Sequence, residues 1–180
     1  MPDIWVTSDT HFNHVNILRF TDDDGNFTRK FSSVDEMNEI MIDRWNSRVK
    51  PGDKVYHLGD VLFGDRQKDG PAILSRLNGK KRLVVGNHDV IYGNQGQNVL
   101  HRYFQRIYMW RMMPEKNILM THVPVHPSVL RESRFEGDSN MINVHGHIHQ
   151  NKSPDGPYKC VCVDQPGVDY YPIHIEELRF

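Results

Sequence analysis

The residues of this chain that can do chemistry are His, Asp and Asn, and they fall in short clusters. The clusters are Asp9-Thr10-His11, Gly59-Asp60, Gly86-Asn87-His88-Asp89, the single His122, and Gly146-His147-Ile148-His149. The chain holds 11 His and only 2 Cys. Imidazole, carboxylate and amide oxygen are hard or borderline ligands. They suit first-row divalent metals, whereas thiolates suit soft ions or structural zinc. Two cations about 3.5–4 Å apart repel each other, so a shared site needs an anionic bridge, which one carboxylate supplies. Such a pair can clamp both the attacking and the leaving oxygen of phosphoryl transfer. The inventory fits two metal sites and one further His for proton work. Spacing alone does not assign each ligand.

The elements that must position these clusters are strands. Ile4-Trp5-Val6 leads to Asp9 and His11, and Val55-Tyr56-His57-Leu58 leads to Asp60. Leu83-Val84-Val85 leads to Asn87, His88 and Asp89, Ile118-Leu119-Met120 to His122, and Ile142-Asn143-Val144 to the last His group. In open α/β sheets, ligands bind beyond the carboxyl ends of the strands. The pattern predicts strands over 3–8, 54–58, 82–85, 107–113, 117–121, 142–145, 159–164 and 171–175. It predicts helices over 33–48, 71–78 and 97–104. The first should be capped by Ser33, with Glu36 completing a capping box. Met37, Ile40, Met41 and Trp45 form its apolar face, and Pro51-Gly52 ends it. The expected class is α/β, with the second half leaning to strands.

Composition narrows the alternatives. A chain of 180 residues is expected to be one domain, 1–180. A hydrophobic fraction of 38% excludes a disordered chain, and no apolar run reaches the about 18 residues of a membrane span. The N-terminus enters a strand-like run without a basic, cleavable leader, so a cytoplasmic location is expected. Two Cys cannot build a disulfide framework. A net charge of -1 argues against a polybasic nucleic-acid or membrane binder. The oligomeric state has no signature.

Taken in order, Asp9-x-His11, Gly59-Asp60, Gly86-Asn87-His88-Asp89, His122 and Gly146-His147-x-His149 resemble the calcineurin-like metallophosphoesterases, in particular small bacterial and phage members. The resemblance implies a four-layer α/β/β/α sandwich. It implies two divalent ions, Mn foremost, with Fe, Zn, Ni or Co as alternatives. Asp9, His11 and His149 would hold one ion and Asn87, His122 and His147 the other, with Asp60 bridging. His88 would stay off the metals and protonate the leaving oxygen, while a hydroxide held between the metals attacks phosphorus. The expected activity is hydrolysis of a phosphodiester or monoester. The short chain and balanced charge favour a small phosphorylated substrate, nucleotide-like, over nucleic acid. A metal-dependent nuclease and a catalytically weak scaffold of the same fold are the alternatives. One position departs from relatives that act on proteins: where they often carry a second Asp, this chain has Phe63, and Asp65-Arg66 lies two residues further on.

The remaining polar residues carry weaker expectations. His14, His126 and Asp89 are candidates to touch substrate or to brace the ligands. His57 and His145 are expected to be buried and hydrogen-bonded, and His101 and His174 to be surface or packing residues. Lys80-Lys81-Arg82 reads as a solvated edge, and Trp110, Met112 and Met113 as core or interface. Asp22 to Asn26 reads as a loop tip. Residues 131–140 read as a polar flap, with Arg131 or Arg134 as anion contacts.

Overall fold

A computed structural model describes residues 2–89, 94–130 and 141–178. Strands β1 (Ile4–Thr7), β2 (Lys54–His57), β3 (Lys80–Val84), β4 (Arg106–Tyr108) and β9 (Ile173–His174) build the first sheet. Strands β5 (Arg111–Met113), β6 (Ile118–Met120), β7 (Ile142–His145) and β8 (Tyr158–Cys160) build the second. The orders are β4-β3-β2-β1-β9 and β5-β6-β7-β8. β1 to β4 run parallel, as do β6 to β8.

Alternate residues of a strand point to opposite faces, and here each face meets a different layer. Val55 and Leu83 turn outward onto helices α1 (Val34–Arg48), α2 (Arg66–Leu74) and α3 (Asn94–Tyr103), where Met41, Trp45, Leu74 and Val99 receive them. Tyr56 and Val84 turn inward and pack with Ile118, Met120 and Val144 of the second sheet. The outer face of that sheet carries a smaller cluster of Leu119, Leu130 and Tyr158. The result is an α/β class fold, as the pattern of elements predicts, built as the layered sandwich of two sheets that the resemblance implies. Among the described residues, no helix is long and apolar enough to cross a membrane.

The two sheets are sewn together at the carboxyl ends of their strands. Ser8 bridges Cys162, and the Val163 amide donates to the Ser8 carbonyl at 3.1 Å. The His147 amide, beyond β7, donates to Asp9 Oδ2, beyond β1, at 2.9 Å, and within the second sheet the Gly146 amide donates to the His122 carbonyl at 2.8 Å. The loops that leave β1, β2, β3, β6 and β7 are thereby gathered at one edge.

Helix α1 starts as predicted, with Ser33 Oγ accepting from the Glu36 amide at 3.1 Å. The return bond of the box is shifted by one residue, because Glu36 accepts from the Ser32 amide. Helix α2 begins five residues earlier than the predicted 71. Asp65 caps it by accepting from the Gln67 and Lys68 amides. Gly70-Pro71 looks like a breaker in sequence but lies inside the helix. A Cβ at Gly70 would come within 2.8 Å of Val99 Cγ1, so close packing on α3 requires the glycine.

Two other expectations are corrected, and a third lies outside the described residues. The run 107–113 is two strands in different sheets, with Met109-Trp110 as the crossover. Both halves are apolar because each packs in its own sheet, and that hides the break. The basic run Lys80-Lys81-Arg82 is not a solvated edge, for β3 lies between β2 and β4. Lys81 is buried and donates to the Leu77 carbonyl, while Arg82 donates to Tyr56 Oη at 2.7 Å. Burial pushes the Lys81 ammonium below its ordinary range. The flap read into 131–140 falls outside the described residues.

Leu83 has no exposed surface and sits between the first sheet and its helices. Leu83→Ala should therefore cost about 2–5 kcal/mol in urea unfolding. A loss under about 1 kcal/mol would mean that this layer is not packed as described.

Candidate metal centre

Backbone geometry at the strand ends aims the side chains. Asp9, His11, Asp60, His147 and His149 all have left-handed backbones, with φ of 58°, 49°, 57°, 72° and 50°. For residues with a Cβ this conformation is costly, and it persists where surrounding structure over-determines it. Here the neighbouring loops do so. The Asp9 amide donates to the Gly59 carbonyl and the His11 amide to the Asp60 carbonyl, both at 3.0 Å. The adjacent glycines have a different reason. A Cβ at Gly59 would lie 2.6 Å from His122 Nδ1. One at Gly86 would run into the Asp60 carboxylate, and one at Gly146 into Ser8 Oγ and the Asp9 carboxylate. The glycines of the sequence clusters are therefore the places where two loops touch.

The side chains converge in two groups. Asp9, His11 and His149 form one and Asp60, His122 and His147 the other, each offering ligand atoms within 4.8 Å of one another. Asp60 stands between them. Its Oδ2 is 3.6 Å from His11 Nε2 and 3.5 Å from His122 Nε2. Asn87 joins the second group, with Oδ1 2.8 Å from His122 Nε2. All seven residues singled out as ligands from the sequence are thus brought to one place.

The donor set fits divalent cations. Asp9 Oδ1 and both ring nitrogens of His11 are buried without a hydrogen-bond partner among the described residues. Buried polar atoms are rarely left so, and a cation between them would satisfy Asp9 and one His11 nitrogen. Burial works against charge on Asp9, yet His11, His122 and His149 hold its carboxyl well below the usual carboxylate range. His122 shows the converse. Burial opposes its charge, but hydrogen bonding to Asp60 and the charges of Asp9 and Asp60 hold its imidazole up to about 9.

A second layer fixes the rings. His122 Nδ1 donates to the Leu58 carbonyl at 2.7 Å, which turns Nε2 toward Asp60 and Asn87. His149 Nδ1 pairs with Asp164 Oδ2 at 2.7 Å, which turns Nε2 toward Asp9. Metal-binding His commonly gives its other ring N–H to such partners. Asp164 is in turn held by the buried Arg29, whose Nε and Nη2 donate at 2.7 and 3.0 Å. The same guanidinium donates to the carbonyls of Asp9 and Thr10 at 2.6 and 2.7 Å. One side chain thus braces the turn carrying Asp9 and the partner of His149. Sequence reasoning missed both Arg29 and Asp164. Asp164 lies just after a strand end, the same signal that marked the other clusters; Arg29 had no local signal.

The other candidates separate by contact. Asp89 faces the backbone and accepts from the amides of Asp60, Val61 and Gly86 at 2.8–3.0 Å. It therefore braces the loop of Asp60. His14 stacks face to face on Phe63, centroids 4.0 Å apart, and burial pushes its pKa down to about 4. Phe63 also lies against His88 at 4.9 Å, so an aromatic wall occupies the position of the second Asp. Asp65 caps α2 and is not its equivalent. His88 is 44% exposed, with its backbone amide on Asp60 Oδ1 at 2.9 Å and its Nε2 3.9 Å from Asp60 Oδ2. His126 caps the exposed 3₁₀ turn Pro127–Val129 and belongs to neither ligand group. His57 and His145 are buried and hydrogen-bonded, to Thr10 and to Ser153 and the Gly146 carbonyl. Cys162 Sγ lies 3.0 Å from Asp9 Oδ2 and donates to it.

Fold and centre together define a class. Residues 3–163 match the model of the calcineurin-like phosphoesterase superfamily domain, and the chain belongs to that family. It is 29% identical over 182 residues to an uncharacterized protein of Methanocaldococcus jannaschii, covering 98% of this chain and 89% of the relative. It is 26% identical to the gene 66 protein of Mycobacterium phage D29, covering 83% and 79%. The crystal structure of a protein of unknown function from Aquifex aeolicus shares the fold, with a TM-score of 0.70 and 25% identity over 99% and 98% of the two chains. Family and ligand groups support a metal-dependent phosphoesterase.

Asp164→Asn should loosen the His149 ring and weaken metal binding about 10–100-fold, read by calorimetric titration with Mn(II). Unchanged affinity would show that Asp164 serves folding alone.

Proposed function

We propose that the chain hydrolyses a phosphoester of a small phosphorylated substrate, using two divalent ions, Mn foremost, and His88 as proton donor. The observation that carries this reading is the placement of Asp60 between two ligand groups, with the partly exposed His88 ring beside it. Asp9, His11 and His149 would hold one ion and Asn87, His122 and His147 the other, with Asp60 shared. When bound, such ions lower the pKa of water and neutralise charge on the phosphoryl oxygens.

The chain's own groups do the rest. The His88 backbone amide ties its loop to Asp60 Oδ1 and so sets the ring at a fixed distance from the ligand cluster. Phe63 limits how far the ring can turn. Nε2 is then placed to give a proton to the oxygen leaving phosphorus, the role of a general acid. Arg29 and Asp164 hold His149 and the Asp9 turn still. The aromatic wall of Phe63 and His14 lines the side of His88 where protein-directed relatives carry a carboxylate, which favours a small substrate over a phosphoprotein.

His88→Ala should lower turnover of an aryl phosphoester by about 10²–10⁴-fold and leave the bound metal per chain unchanged. Loss of metal in step with activity would remove His88 from its proton-donor role. Chelation should abolish turnover and added Mn(II) should restore it. No turnover of diester or monoester with Mn, Fe, Zn, Ni or Co would overturn the reading.

A further inference from the structure

Beside the second ligand group lies a cavity of about 510 Å³ whose apolar wall has no part in the proposed reaction. That size lies within the range of small-molecule pockets, about 300–1,000 Å³. Asn87 and His122 of the second ligand group line the cavity, together with Trp110, Met112, Val123 and Val129. Among the described residues, no Asp, Glu, Lys or Arg lines it. The one hydroxyl in the wall, on Thr121, is turned away to donate to the Val123 carbonyl at 2.6 Å. Trp110 is 58% exposed and Val129 53%, an unusual exposure for such side chains. Trp110 belongs to the crossover between the sheets, so the fold itself places the indole at the rim.

We propose that this pocket takes the organic arm of the substrate, and that the arm is a planar, uncharged ring. Trp110 stacks on the ring while the phosphoryl group reaches the ligand cluster at Asn87 and His122. The inference rests on the reading of the cluster as a phosphoester site. Three features select a ring over other arms. The wall offers no group to pair with a charge. Apart from Asn87, His122 and the indole of Trp110, the described side chains of the wall offer a sugar only the Thr121 hydroxyl, which is already engaged. An exposed indole gains most from a flat apolar partner. An aryl ester and a nucleoside ester share this chemistry.

The test compares ligands with the same charged head and a C–P bond that cannot be hydrolysed. Mn-loaded protein is titrated with phenylphosphonate and methylphosphonate, by calorimetry and by tryptophan fluorescence referred to Trp110→Phe. Phenylphosphonate should bind about tenfold tighter or more. Trp110→Ala and Val129→Asp, both at exposed rim positions, should erase that difference and leave methylphosphonate affinity unchanged. In a second arm, adenosine 5′-monophosphate competes against ribose 5-phosphate. Preference for the former identifies a nucleobase; preference confined to phenylphosphonate identifies a simple aryl arm. Equal affinities within both pairs would overturn the pocket. If neither phosphonate binds, the phosphoester reading falls instead. The pocket is then read with phenol and adenosine alone: quenching that needs Trp110 supports it, and no quenching overturns it.

Discussion

Two carboxylates with almost no access to water stand at the centre of this molecule. Asp9 is 0% exposed and Asp60 2%, and both are held in the charged form by their surroundings. Burying a charge is costly unless it is paired, so the rest of the site has to be cationic or to recruit cations. The buried guanidinium of Arg29 does not answer this need directly, because it is engaged with Asp164 and two carbonyls. The need falls on a ring of imidazoles and, in the proposed function, on divalent ions. Imidazoles alone would have to be protonated next to one another, and for His11 and His147 burial first, and then the neighbouring imidazoles, disfavour that charge.

The fold is arranged around that pair. Parallel strands send their carboxyl ends to the same edge, and the two sheets are laced together there by Ser8 with Cys162 and Val163 and by the His147 amide on Asp9. Five of the proposed ligands pay for their direction with left-handed backbones. The glycines at 59, 86 and 146 let the loops close to van der Waals contact around the carboxylates. Asp89 and Asp164 are acidic residues that belong to neither ligand group. One ties three amides and the other orients an imidazole, so local electrostatics and backbone geometry are set by the same side chains.

Much of this was legible in the sequence, and for a definite reason. One strand that ends in a polar cluster is an ordinary turn, but five such ends in one chain point to a shared site. Strand ends marked Asp9, His11, Asp60, Asn87, His88, His122, His147 and His149 as candidates, and their order along the chain, through the family it resembles, gave each its role. What was not legible depends on long-range contact. Arg29 meets Asp164 across 135 residues, and no local pattern announces it. Phe63 replaces a carboxylate and was noticed, but its stacking on His14 and His88 is a property of the folded loops. The split of 107–113 and the internal position of Lys81 were hidden because apolar or basic runs do not reveal which sheet, or which place in it, a strand will take. The split matters most for function, since it leaves Trp110 at the mouth of a cavity.

The central claim is that a single carboxylate, Asp60, is shared by two ions. The most direct measurement is electron paramagnetic resonance of the protein loaded with two equivalents of Mn(II). A shared Asp60 predicts an exchange-coupled spectrum in wild type that Asp60→Asn abolishes. A spectrum of isolated Mn(II) at two equivalents, or saturation at one, would contradict it.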